Sequence, residues 1–217
     1  MPVITISREY GSGGVEVAER LCDVLGYTYF DKNLMAQVAA EMGVSEEEVV
    51  DFSEDTYRMR GFLERLFGRR RLRSEAGFSG TAKSSLRVET LSEAEGINLV
   101  RDTILAAYDR DNVVIVGRGG QAILREKPGV LHVRLNAPLG ARALRVKERE
   151  DTSLAEATEM TKNKDQAAIA YLERFFEVDW DNPMLYHIIL NTGKWELASV
   201  TDILIAALTN LKVVSEI

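Results

Sequence analysis

Apolar positions in this chain alternate between short continuous runs and helical spacing. Val3, Ile4 and Ile6 form a run that reads as a buried, central strand over Val3–Ser7. Val15, Val17, Ala18, Leu21, Val24 and Leu25 then recur at the spacing of a helix, closed by Gly26. Tyr27–Phe30 predicts a second strand, and Asp31 can cap a helix over Asn33–Met42. Ser45 and Glu48 have capping-box spacing, and a further helical stretch covers about Asp55–Phe67. Residues 68–90, rich in Arg, Ser, Gly, Ala and Thr, predict a mobile loop or an excursion ordered by ligand. Beyond it the pattern predicts helices over Ser92–Tyr108, Gly119–Arg125, Leu139–Glu148 and Lys194–Asn210. Leu154–Phe176 reads as one long charged helix or a helix pair. Strands fall at Asn112–Gly117, Val130–Leu135 and Tyr186–Leu190.

Strands alternating with helices predict an α/β architecture with a mostly parallel sheet of about five strands. Right-handed crossovers bring the strand C-termini to one rim, where ligands bind in such sheets. That rim is expected to carry Arg8–Gly14, Asp31, Gly117–Gly120 and Asn136. No internal repeat interrupts the pattern, and residues 1–217 fit one domain with an inserted subdomain.

The candidate chemistry begins where the first strand meets its helix, at Ser7-Arg8-Glu9-Tyr10-Gly11-Ser12-Gly13-Gly14. Strand, glycine-rich turn and helix is the layout of a phosphate-binding loop, with inward backbone N–H groups and the positive end of a helix dipole. The G-x-x-x-x-G-K-[ST] pattern is not met. Arg8 stands at its first glycine, Gly14 at its lysine, and Val15 or Glu16 near its hydroxyl. A phosphate cradle here needs a cation from elsewhere. Arg8 is the nearest; its plainer role is an ion pair with Glu9 or Glu16.

Composition narrows the partners. A net charge of −7 excludes a general nucleic-acid surface, so any phosphate site must be local. One cysteine, Cys22, allows neither an internal disulfide nor a cysteine metal cluster, in keeping with a reducing cytoplasm. No run of about 18 apolar residues predicts a membrane span, and Pro2–Ser7 reads as a core strand rather than a signal peptide. His132 and His187 sit on apolar strands and read as core or edge residues, and Trp180 and Trp195 as packing residues. Arg69–Arg73 reads as a solvated loop or one that closes over phosphates.

Ile4-Thr5-Ile6-Ser7-Arg8-Glu9-Tyr10-Gly11-Ser12-Gly13-Gly14 resembles the opening of the bacterial cytidylate kinase-like proteins, a branch of the P-loop nucleoside monophosphate kinases. Tyr29-Phe30-Asp31-Lys32, Ile115-Val116-Gly117-Arg118-Gly119, a charged lid-like helix around Lys162–Arg174, and Tyr186–Thr192 follow in the family's order. The resemblance implies a three-layer α/β/α P-loop kinase fold, with a helical acceptor-binding insert over about 33–90 and a helical lid over about 150–176. It implies transfer of the γ-phosphoryl of ATP, with Mg²⁺, to CMP or dCMP, and leaves a homodimer open.

By the same resemblance Gly11, Ser12, Gly13 and Gly14 would cradle the donor phosphates, and Ser12 or Ser7 would reach the metal. Arg8, Arg118 and Lys164 would be the catalytic cations. Asp31, Arg118 and Asp165 would bind the acceptor, and Lys162 and Arg174 would be further lid cations. Read bare, Asp31 is a helix cap, Arg118 pairs with a helix carboxylate, and Asp165 belongs to a solvated face. The chain departs from the family at Gly14, at Gly119, and in the lid, where a D-R-x-R pattern reads Asp165-Gln166-Ala167-Ala168. Two alternatives therefore accompany the kinase expectation: a nucleotide-binding regulatory protein with little catalysis, and a kinase of a different small acceptor.

Overall fold

A computed structural model describes residues 2–30 and 93–211 of the chain. The elements expected between Asp31 and Thr90, Asp31 itself and the Arg69–Arg73 run lie outside the described residues.

Strands β1 (Val3–Arg8), β2 (Thr28–Phe30), β3 (Val113–Val116), β4 (Val130–Asn136) and β5 (Ile188–Asn191) form one sheet in the order β2-β3-β1-β4-β5. Every pairing is parallel. β1 is central, as its apolar run predicts. The chain builds outward from it to β2 and β3, then crosses back to add β4 and β5 on its other side. The direction of growth reverses at the β1–β4 border, which is where a crevice opens at the C-terminal rim.

Helices are α1 (Gly14–Leu25), α2 (Glu93–Asp109), α3 (Gly120–Ile123), α4 (Leu139–Glu150), α5 (Leu154–Phe176) and α6 (Leu197–Thr209). The stretch 154–176 is one helix, opened by a capping box between Ser153 and Glu156. The last strand starts at Ile188, because Pro183–Leu185 forms a 3-10 turn ahead of it.

The period of two along β1 sorts its side chains. Ile4 and Ile6 pack with Val17, Ala18 and Leu21 of α1 and Val200 and Leu204 of α6. Val3 faces the other way, toward Val100 and Ile104 of α2 and Leu124 beyond α3. Helices therefore cover both faces of the sheet. A third cluster joins Tyr171 and Leu172 of α5 to Trp180, Leu185 and Tyr186. Trp180 is buried as expected, but Trp195, just after the Gly193 turn, is half exposed and packs only in part.

Candidate active site

The loop after β1 is shaped at its glycines. Gly11 and Gly13 have φ of +81° and +84°, a left-handed backbone that glycine adopts without strain. Gly13 caps α1 without any side-chain bond. The first N–H groups of α1, which a helix cannot satisfy internally, are thus presented at the rim together with the positive end of the helix dipole. Ser12 is fully buried and its Oγ has no protein partner. A buried hydroxyl left open inside such a loop suits a phosphate oxygen or a cation-bound oxygen.

The missing lysine has a steric counterpart. A Cβ on Gly14 would stand 2.8 Å from Cγ and 2.9 Å from Cβ of Arg8. Arg8 shares the side of β1 that carries Ile4 and Ile6, so strand periodicity directs it onto the start of α1. Its aliphatic stem fills the space beside Gly14.

The outer side of the loop is held by α4, α5 and the turn after β5. Arg142, buried, donates from Nε to the Ala137 carbonyl at 2.8 Å and from Nη1 to the Tyr10 carbonyl at 3.1 Å. The same Nη1 lies 2.6 Å from Asp165 Oδ2, and Nε lies 3.2 Å from Glu9 Oε2. Asp165 Oδ1 accepts the Tyr10 N–H at 2.8 Å. Arg145 donates to the Gly11 carbonyl at 3.4 Å and to the Thr192 carbonyl at 2.8 Å. Thr192 Oγ1 donates to the Ser12 carbonyl at 2.7 Å.

One residue earlier, Ser7 points to the opposite side of β1. Its Oγ accepts Trp180 Nε1–H at 2.6 Å. Arg134 lies under the same ring, 4.3 Å from its centroid, and pairs with Asp181 at 2.6 Å. Ser7 thus helps to anchor the segment after α5.

Residues 3–194 match the cytidylate kinase-like family. The chain belongs to this family. A cytidylate kinase from the archaeon Halobacterium salinarum is 25% identical over 206 residues, covering 94% of this chain and 88% of that one. The described fold is similar to an uncharacterized protein from Eubacterium ventriosum, at TM-score 0.64 and 21% identity, covering 97% of this chain and 100% of that one. It is also similar to a gluconokinase from Sinorhizobium meliloti, at TM-score 0.52 and 12% identity, covering 96% and 91%. The architecture is that of a P-loop kinase.

For this cytidylate kinase-like chain, the family's expected positions sort into three places. Gly11–Gly14, Ser12 and Arg8 meet at the start of α1. Arg118 sits across the rim with a left-handed φ of +57°, donating to the Phe30 carbonyl at 3.2 Å and lying 5.5 Å from the Phe30 ring centroid. It therefore reaches the end of β2, just before Asp31. Lys164 lies 5.9 Å from the Tyr10 ring centroid on the loop's outer side. Lys162 pairs with Glu159 at 3.1 Å on the exposed surface, and Arg174 lies 5.7 Å from the Phe175 ring centroid.

Asp165 departs from the plain reading of a charged lid position. It is not on a solvated face: both carboxylate oxygens face Tyr10 and Arg142. Arg142 and Arg145 were not singled out in the sequence, and Glu9 and Thr192 were named there without the contacts they make here. One signal was available: two arginines three apart on the helix after β4, at the rim that carries the loop.

Proposed function

We propose that this protein is an ATP-dependent kinase of a nucleoside monophosphate, with CMP or dCMP as acceptor. The observation that carries the reading is the loop after β1: outward-tethered carbonyls, a helix start with no side-chain cap, and the buried open hydroxyl of Ser12. Family membership and the name of the archaeal relative support a nucleotide acceptor, with CMP the finer part of the proposal.

In this reading the acceptor's phosphate oxygen attacks the γ-phosphorus of ATP. A new P–O bond forms as the bond to the β-phosphate oxygen breaks, giving ADP and a nucleoside diphosphate. Such transfer is mainly positioning and charge neutralisation. Gly11, Ser12, Gly13 and Gly14 bind the donor phosphates, and Arg8 supplies the positive charge that a Walker lysine supplies elsewhere. Arg118 holds the acceptor phosphate in a guanidinium fork. The family resemblance assigns Asp31 to the acceptor and makes Lys164 a lid cation. Ser12 Oγ, buried and without a protein partner, would also hold Mg²⁺. A Mg²⁺ ion held there would supply charge neutralisation for the phosphates.

A coupled assay over the common nucleoside monophosphates, with ATP or GTP and Mg²⁺, tests this. Turnover is expected with CMP or dCMP above the others; no turnover with any acceptor overturns it. Gly14, Gln166 and Ala168, uncharged where the family carries cations, favour one second reading: a nucleotide-binding regulator. Calorimetric nucleotide binding without turnover supports that instead.

A further inference from the structure

Three successive loop carbonyls are drawn away from the helix start by side chains. Tyr10 is held by Arg142, Gly11 by Arg145 and Ser12 by Thr192. A trans peptide sends its N–H opposite to its C=O. Tethering the Tyr10 and Ser12 carbonyls therefore turns the Gly11 and Gly13 N–H groups the other way, into the cradle. The tethers are a positioning device for an anion they do not touch.

Among them, Tyr10 alone is fixed at both backbone groups by one ion pair. Arg142 Nη1 holds its carbonyl, Asp165 Oδ1 holds its N–H, and the two side chains meet at 2.6 Å. Arg142 comes from α4 and Asp165 from the middle of α5, so the peptide before Gly11 is pinned between two helices. Exposure of the two side chains is 7% and 15%, so solvent screening of the pair is slight. Tyr10 adds its ring, which lies 4.9 Å from the Arg149 guanidinium and 5.9 Å from Lys164 Nζ. Removal of one partner leaves a buried charge with fewer contacts and frees the Tyr10 peptide to rotate.

We infer that Asp165 and Arg142 are positioning residues that couple the seat of the lid helix to the affinity of the loop for the donor's polyphosphate. The inference rests on the kinase reading above and assigns Asp165 to the donor side of the site. Linkage makes the coupling reciprocal: phosphate in the loop tightens α5 on α4.

The test uses the full chain, with MgATP and inorganic tripolyphosphate as calorimetric probes and steady-state kinetics varied in each substrate. Asp165→Asn keeps an acceptor for the Tyr10 N–H but removes the charge facing Arg142. It is expected to weaken both probes about tenfold and to raise the donor KM alike, with kcat and acceptor KM changed less than about threefold. Asp165→Ala should weaken both probes further, and Asp165→Asn keeps the test open if the alanine variant does not fold. Tripolyphosphate has no base, so its parallel loss separates loop positioning from base recognition. A rise in acceptor KM with donor binding unchanged overturns the inference, and so does unchanged binding of both probes. If the wild-type protein binds neither probe, the kinase reading falls and the coupling with it.

Discussion

Arg8 and Gly14 occupy one space: a side chain on Gly14 would meet Arg8 Cγ at 2.8 Å. A side chain at 14 and the Arg8 stem in its present place therefore collide, and a lysine there requires Arg8 to move. Arg8→Ala is expected to lower kcat about 100- to 1,000-fold while donor KM changes far less, the behaviour of charge that acts in the transition state. Gly14→Lys alone should be damaging, because Arg8 already fills the site. Arg8→Gly combined with Gly14→Lys should recover a large part of the Arg8→Gly loss. Kinetics of the three variants and the pair check this; a double variant no better than Arg8→Gly removes Arg8 from the role.

Thr192 tests the loop from its other end. Its Oγ1 donates to the Ser12 carbonyl at 2.7 Å and accepts from Arg145 at 3.1 Å. Thr192→Val keeps the shape and removes both bonds, leaving a buried carbonyl short of a donor, at about 1–3 kcal/mol. A loss of unfolding free energy of that size, read from urea denaturation, and a raised donor KM are expected. An unchanged donor KM would show that Ser12 holds its geometry without Thr192.

How far the chain could be read follows from where each signal lives. Strand β1 and the turn after it were legible because hydrophobic run, glycine cluster and helical period are local and agree. Sheet direction followed from the alternation of elements. The tethers were not legible, because they join residues far apart in sequence: Tyr10 with Asp165, Ser12 with Thr192, Ser7 with Trp180. On their own helices Arg142, Arg145 and Asp165 look like ordinary charged positions. Only the approach of α4 and α5 to the loop turns those charges inward. Arg8 was legible as the nearest cation, but its direction needed the strand's period and the empty side of Gly14.

His132 predicts the acid limit of the fold. It is buried on β4 between Thr5, whose Oγ1 lies 2.7 Å from Nδ1, and His187, whose ring stacks at 5.1 Å. Burial, then the neighbouring His187, depresses its pKa to about 4, offset only in part by the Leu124 backbone. His187 is lowered as well, by burial. An unfolded chain takes up these protons near pH 6.5 while the folded one does not, so stability is full above that pH. It is lost as pH falls toward 4, by at most about 3 kcal/mol from His132. Urea midpoints between pH 7 and 4 should fall for the wild type, with a shallower slope in His132→Gln.

Cys22 gives a prediction that depends on neither substrate nor loop. Burial, aided by the negative charges of Asp23 and Glu19, pushes its thiol up to about 11. At pH 8 the thiolate is then about a thousandth of the total, against roughly a quarter for an ordinary thiol. It is the only cysteine of the chain, so the signal is unambiguous. Alkylation of the folded protein should run at least about 100-fold slower than in urea, with no loss of nucleotide binding on brief treatment. Fast modification in the native state would mean that α1 opens around Cys22. Because α1 starts at the phosphate loop, slower alkylation with MgATP present would then place that opening in the helix that carries the site.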